Sequence, residues 1–485
     1  MADAGRHRLG LAGSRITEIE RGRVAMREAE VGREDFALEP VPPEHRRVRV
    51  RGLFSIILGI PTALVFLATG GTLAATYGTR TLCVGLAVAT VVVSIAGYIL
   101  TSFAVRSGLD SDLMSIRAGF GLLGSGITSL IYSGTFVVLF ALEDEIIANA
   151  LREQYPEIPR QISLTIVGVL LAAITWYGVS GLAVLMNVTL PVFAAYLAWA
   201  TINGAPFVNP GSFWEYPHSG ESSLAVTFSG VLATVGVLMV FFLNATVAAD
   251  VGRFLPESKR RVGAVMLGVA LQLVSFFGAV LLGAWLTYRL QAGADPGRYL
   301  VRFLGFWGLL YVVVSQVRIN VINLYAGSLS LSNFFARVLN FRPGRHIWVL
   351  TMASIGTTFA MTGIYTKLLG VLAFAGTFVS AWVMTLISYI LRHRLLYGQL
   401  SNGDDPLKGK RIDWEGTTAL IVALVVALPL AFGAAGNVGV SIAPILSGVI
   451  AALAVPVMCF VIHGRAGARP DRHICPPRVE IDSTE

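Results

Sequence analysis

The sequence predicts an all-α polytopic membrane protein with about twelve transmembrane helices, and three observations carry that prediction. Of the 485 residues, 55% are hydrophobic and only 14% are charged, with a mean hydropathy of +0.69. That is more apolar surface than one soluble core hides. Apolar runs of roughly 20 residues, the length that crosses a bilayer, recur along the chain. Lys and Arg gather on alternate connections between those runs.

In chain order, residues 1–50 form a hydrophilic tail without the apolar core of a removable signal, so the first membrane helix does the targeting. Up to about Glu44 the tail is charged and poor in aromatics, which predicts disorder. Glu39-Pro40-Val41-Pro42-Pro43 then leads stiffly into the membrane. The transmembrane domain covers 51–463, with spans near 53–76, 81–105, 120–147, 162–182, 184–203, 224–249, 262–288, 301–331, 347–365, 368–391, 415–435 and 438–462. Residues 464–485 form a second tail. The fourth and fifth spans are nearly fused. With both tails assigned to the cytoplasm, 29 Lys and Arg lie on that side and 7 on the other, which favours this orientation. Residues 205–223, with Pro206, Pro210 and Pro217, read as an irregular outer connector.

The formal charge of +8 is scattered over many short loops, which excludes a nucleic-acid surface. Cys83, Cys459 and Cys475 are isolated, without metal or redox spacing. No cofactor is implied. Neither HExxH nor GxSxG occurs, so an enzyme has no visible catalytic centre. Gly119-Phe120-Gly121-Leu122-Leu123-Gly124 matches the dinucleotide pattern GxGxxG, but no strand precedes it, and close helix packing explains the glycines better.

Gly59-Ile60-Pro61-Thr62 interrupts the first span, because Pro61 has no N–H to donate. Five spans later Asn244-Ala245-Thr246 lies inside the sixth. Interruptions in matching positions of two halves point to an inverted-repeat transporter with a site at the midplane; a kink serving packing alone is the other reading. Arg318 is the one charge in the apolar stretch 303–331, and a guanidinium at mid-membrane costs about 2.5–3.5 kcal/mol even on lenient scales. Asn320, Asn323 and Tyr325 follow it, with Ser328, Ser330 and Ser332 beyond, which favours a polar cavity. Glu143-Asp144-Glu145 ends an apolar run long enough to have crossed already, so it reads either as an interfacial cap or, through the face shared by Phe136, Leu139, Phe140 and Glu143, as cavity lining that answers Arg318. Asp250 and Arg253, at i and i+3, read as a structural ion pair.

These residues carry a resemblance over nearly the whole chain to nucleobase:cation symporters of the purine and cytosine permease type. Its signatures are Phe36-Ala37-Leu38-Glu39-Pro40-Val41-Pro42, Thr69-Gly70-Gly71-Thr72, Arg117 through Ser125, Ala249-Asp250-Val251-Gly252-Arg253-Phe254 and Asn320-Val321-Ile322-Asn323-Leu324-Tyr325-Ala326. The resemblance implies a five-plus-five inverted-repeat fold with two extra C-terminal helices, alternating access, and a heterocycle held between the first, third, sixth and eighth spans. It gives ring binding to Asn320, with Asn323 beside it, and stacking to Phe241, near Asn244. It also puts Gly59 and Thr62 where carbonyls of the first span meet sodium.

Two departures are visible. A Gln and a Trp that contact cytosine in such permeases are Phe136 and Leu139 here, and a hydroxyl pair that serves sodium is Arg318-Ile319. The expectation is therefore a cell-membrane importer of a purine, pyrimidine, hydantoin or allantoin-like heterocycle in which Arg318 fills the sodium site. Coupling is then to protons or absent, with Glu143 as the favoured proton carrier and Asp250 in reserve. A carrier of amino acids or amines with the same fold is the alternative, and a channel or receptor is the more distant one.

Overall fold

A computed structural model describes residues 40–176, 211–217, 225–291, 293–341, 343–397 and 410–463. Among them no strand occurs, and the chain is a bundle of helices. The helices are α1 (Val50–Gly59), α2 (Leu64–Tyr77), α3 (Thr79–Ser107), α4 (Ser111–Ser115), α5 (Gly121–Gln154) and α6 (Arg160–Trp176). After the undescribed stretch come α7 (Phe228–Leu238), α8 (Phe242–Gly252), α9 (Glu257–Leu290), α10 (Pro296–Leu304) and α11 (Phe306–Val338). The last four are α12 (Arg345–Met361), α13 (Leu368–Tyr397), α14 (Trp414–Ala431) and α15 (Gly436–His463).

Eight described helices are long and apolar enough to cross a membrane, and the bent pair α1–α2 makes a possible ninth. Shorter apolar helices, Arg160–Trp176 and His346–Met361, fall where the fourth and ninth spans are expected. The fifth span, 184–203, lies outside the described residues, as does most of the connector at 205–223. Large side chains such as Val425, Leu453, Phe460 and Val461 are exposed on the outside of the bundle, as lipid-facing residues are.

Small residues bring the helices together. A Cβ at Gly70 of α2 would sit 1.7 Å from the Val280 carbonyl oxygen of α9, and one at Gly283 of α9 would sit 2.1 Å from that of Leu67. The glycines at 119–124 do pack closely, Gly119 against Gly416 and Gly124 against Thr417, but they also turn the chain. Gly119 (φ +90°) and Gly121 (φ +71°) take left-handed backbone between α4 and α5, so the motif is a kink rather than part of one continuous helix.

Three further breaks interrupt long spans among the described residues. The α1–α2 pair bends by 48° across a 3-10 turn at Ile60–Thr62. The sixth span breaks between α7 and α8 at Met239–Phe241, a turn earlier than Asn244-Ala245-Thr246 suggests. The reason is local: Thr246 Oγ1 donates to the Leu243 carbonyl of its own helix and Asn244 Nδ2 donates to Gln272 Oε1, so neither opens the backbone ladder. The eighth span is likewise not one helix over 301–331. Gly305 (φ +57°) separates α10, which Asp295 caps through the Gly297 and Arg298 amides, from α11. On α11, Arg318 lies about 18 Å from the start and about 30 Å from the end.

The Pro-rich stretch before α1 does not hang free. Val41 is fully buried, and its N–H donates to the Gly108 carbonyl. Arg46 donates to the carbonyls of Val41, Val105 and Arg106, and the Val48 N–H donates to that of Phe254. Residues 41–48 thus strap the entry of α1 to the ends of α3 and α8.

Candidate functional site

The break between α1 and α2 leaves carbonyls at the end of one half-helix and N–H groups at the start of the other, and no lipid can satisfy them. Side chains from two other helices do. From α11, Arg318 Nη2 donates to the Gly59 carbonyl at 3.0 Å and Ser315 Oγ to that of Thr62 at 2.8 Å. Gln316 Oε1 accepts the Leu64 N–H at 3.2 Å. From α5, Glu143 Oε1 accepts the Val65 N–H, also at 3.2 Å. Thr62 Oγ1 adds a bond to the Gly59 carbonyl. Ser315 and Arg318 stand three residues apart and so share a face of α11.

The signs of charge match the half-helices. The C-terminal end of α1 carries partial negative charge and meets the guanidinium; the N-terminal end of α2 carries partial positive charge and meets the carboxyl group. Arg318 and Glu143 therefore serve opposite sides of one break, each bonded to backbone. Among the described residues, Arg318 has no carboxylate at ion-pair distance, and its Nε is buried without an acceptor. The expected direct neutralisation by Glu143 is replaced by the Gly59 carbonyl.

Glu143, Asp144 and Glu145 are all buried within the bundle. Glu145 pairs with Arg160 at 2.7 Å and accepts the Tyr365 N–H, while Asp144 lies beside the Thr357 hydroxyl. The cause is the length of α5, which continues to Gln154 and is covered there by α6, α10 and α12.

Around the break, several polar atoms stay buried and unpartnered: Glu143 Oε2, Gln316 Nε2, Asn320 Nδ2 and Gln272 Nε2. A polar group buried in this way needs a partner, which water or a ligand can supply. Asn323 Nδ2 donates to Asn320 Oδ1 at 3.2 Å, one turn along α11 from Gln316. Phe241, in the break between α7 and α8, stacks on Phe66 of the first turn of α2 with centroids 4.4 Å apart, and meets Phe276 edge-on. Phe136 is buried on α5 beside Tyr132, and Leu139 is nearly as buried one turn on.

Gly59, Thr62, Glu143 and Arg318 thus converge on one break, and Phe241 reaches it through Phe66. Asp250 does not. Its Oδ1 accepts from the Ser111 N–H and hydroxyl and its Oδ2 from Tyr132 OH, tying α8 to α4 and α5. Arg253, expected to pair with Asp250, pairs with Asp110 at 2.8 Å. Beside it, Asp112 holds Arg337 and Asn333 of α11.

Sequence reasoning passes over Ser315, Gln316 and Gln272. The available signal was that Ser315-Gln316 falls within one turn of Arg318 in the same apolar stretch.

Residues 40–453 match the family described as permease for cytosine/purines, uracil, thiamine, allantoin. The cytosine permeases of Escherichia coli strains K12 and O157:H7 are 25% identical to this chain over 173 residues, which is 35% of this chain and 41% of theirs. The matched stretch therefore spans less than half of those curated relatives. Among solved structures, Mhp1 in an inward-facing conformation superposes with a TM-score of 0.69 at 16% identity, covering 88% of this chain and 93% of that one. Mhp1, described as a nucleobase-cation-symport-1 family transporter, in a closed conformation with bromovinylhydantoin bound gives 0.63 at 17% identity, covering 88% and 96%. A Na+-coupled sialic acid symporter gives 0.60 at 14%, covering 88% and 92%. At these identities the solved structures share the fold. With the family match extending over most of its length, the chain belongs to the permeases for cytosine/purines, uracil, thiamine and allantoin, a family of multi-pass membrane transporters.

Proposed function

We propose that this chain is a secondary active transporter of the cell membrane, with both termini in the cytoplasm, that imports a purine, pyrimidine, hydantoin or allantoin-like heterocycle by alternating access. It works without sodium, with a proton or no ion as coupling partner. The fold we assign is five-plus-five inverted repeats with two extra C-terminal helices, and the breaks at Ile60–Thr62 and Met239–Phe241 support it, because they fall in the spans that correspond between the halves. The family description, the cytosine permease relatives and the hydantoin-bound neighbour support the substrate class.

One observation carries the ion reading. The Gly59 and Thr62 carbonyls, which the family resemblance gives to sodium, already accept from Arg318 and Ser315. A monovalent cation gains little from oxygens that are occupied and faces a fixed positive charge beside them. Glu143 is the proton carrier in this reading: Oε1 is fixed on Val65 and Oε2 is buried and unpartnered, so a proton on Oε2 disturbs no existing bond. Asn320, Asn323, Asn244, Phe241, Phe136 and Leu139 form the ring site, and Asp250 belongs to the cytoplasmic closure.

Uptake of labelled cytosine, uracil, hydantoin and allantoin into proteoliposomes tests the proposal. Saturable uptake of one of them, unchanged when sodium is exchanged for potassium, is the expected result. Uptake that rises steeply with external sodium sinks the assignment of Arg318.

A further inference from the structure

The two leading amides of α2 are the most exposed donors a broken membrane helix offers. In a half-helix of 14 residues they carry the positive end of the dipole, and such an end binds ligand carboxylates when it faces a cavity. Here protein oxygens hold both amides. Gln316 Oε1 takes Leu64 and Glu143 Oε1 takes Val65, each at 3.2 Å, and both side chains are fully buried. They come from different helices, α11 and α5, so the arrangement is not a local cap grown from α2's own sequence. The Gln316 amide can be oriented only one way, since a backbone N–H must meet its oxygen. Its Nε2 is left unpartnered beside the break, as is Glu143 Oε2.

We propose that Glu143 and Gln316 are the specificity-determining residues of this site: their oxygens stand where a ligand's carboxylate would bind, so the transporter accepts uncharged ligands and refuses carboxylate-bearing ones. The proposal rests on reading the α1–α2 break as the ligand site. It deepens that reading by setting the carboxylated substrates of related folds, amino acids among them, apart from those of this chain. The occupied amides carry the exclusion whether or not Glu143 holds a proton. The free Gln316 Nε2 and Glu143 Oε2 then face the ligand, and they suit a neutral amide edge that offers a carbonyl to the first and an N–H to the second.

The test vacates the place and offers a carboxylate to fill it. In the full-length protein in detergent, Glu143→Ala frees the Val65 amide, and formate is small enough to enter the space left behind. The expected result is that formate raises the melting temperature of Glu143→Ala by a few degrees and leaves the wild type unchanged, because a ligand that binds only the folded state stabilises it by mass action. Gln316→Ala, which keeps Glu143 and frees Leu64 instead, is the second variant and is expected to respond in the same direction should Glu143→Ala not fold. Competition between uracil and its carboxylated counterpart orotate supplies the other arm. The wild type should bind uracil at least about tenfold more tightly than orotate, and the variants should close that gap.

Formate that stabilises neither variant, or a wild type that binds orotate as well as uracil, overturns the proposal. If formate rescues the variants while uracil, cytosine, hydantoin and allantoin all fail to stabilise the wild type, the occupied amides stand and the heterocycle reading falls.

Discussion

Replacing Arg318 by Ser tests the proposal that its guanidinium excludes sodium. In the wild type, Nη2 lies 3.0 Å from the Gly59 carbonyl oxygen. A hard cation on that oxygen would sit roughly 2.4 Å from it and therefore within about 5.4 Å of Nη2. At an effective dielectric constant of about 20, two unit charges at that distance repel by about 3 kcal/mol, which weakens the cation more than a hundredfold. Stability should move much less. Removing the guanidinium relieves an insertion cost of about 2.5–3.5 kcal/mol and forfeits a charged hydrogen bond of about 1.5–3 kcal/mol, so the two nearly offset. The assay is melting of purified protein, together with proteoliposome uptake, in sodium against potassium at equal ionic strength. Arg318→Ser should melt close to the wild type in potassium and gain stability in sodium, while the wild type responds to neither. Sodium stabilisation of the wild type refutes the reasoning, and a variant indifferent to sodium shows that the guanidinium is not the barrier.

Glu143→Gln keeps an oxygen for the Val65 amide but cannot carry a proton, so uptake by this variant should lose any acceleration by an inward proton gradient that the wild type shows; equal acceleration in both assigns the proton elsewhere. Gly70→Leu places side-chain atoms into the Val280 carbonyl oxygen and should cost several kcal/mol, read as loss of folded protein on size exclusion, while Gly52→Ala, with open space around it, should behave as wild type. Burial pushes the Asp295 carboxyl at the start of α10 up to about 6, above its unfolded value near 4. Its contribution to stability is thus present below about pH 4 and is lost as pH rises through 6, so the wild-type melting temperature should fall over that window relative to Asp295→Asn. Parallel curves for the two proteins remove Asp295 from the account.

The parts of the fold that could be read from sequence are those where one residue type forces the backbone. Pro61 lacks an N–H, so the break in the first span follows from chemistry local to four residues. Gly305 also ends a helix, yet apolar residues on both sides concealed it; Pro296 and the two arginines Arg298 and Arg302 were the traces of the short amphipathic α10. In the site, Arg318 announces itself as a charge in an apolar stretch, but a linear sequence does not say which carbonyl will face it. Glu143 was ambiguous because the apolar run 122–142 suffices to cross a bilayer. Its burial depends on α5 running on to Gln154 and on the helices that cover that end, which is tertiary information. Ser315 and Gln316 look like the ordinary polar glue of membrane helices, and only their partners in the α1–α2 break distinguish them.

The strap formed by residues 41–48 has a mechanical consequence for any movement of α1. Because the Val41 and Val48 amides and the Arg46 guanidinium are fastened to the ends of α3 and α8, α1 is a lever hinged at Pro61 whose free end is tethered to two other helices. Swinging α1 alone would peel away these bonds, at about 0.5–1.5 kcal/mol for each neutral one and more for those of the guanidinium. Moving the lever together with the ends of α3 and α8 breaks none of them. The end of α1 remote from its break is thereby geared to α8, which follows the break in the sixth span, so that a displacement at one break is passed to the other through the strap.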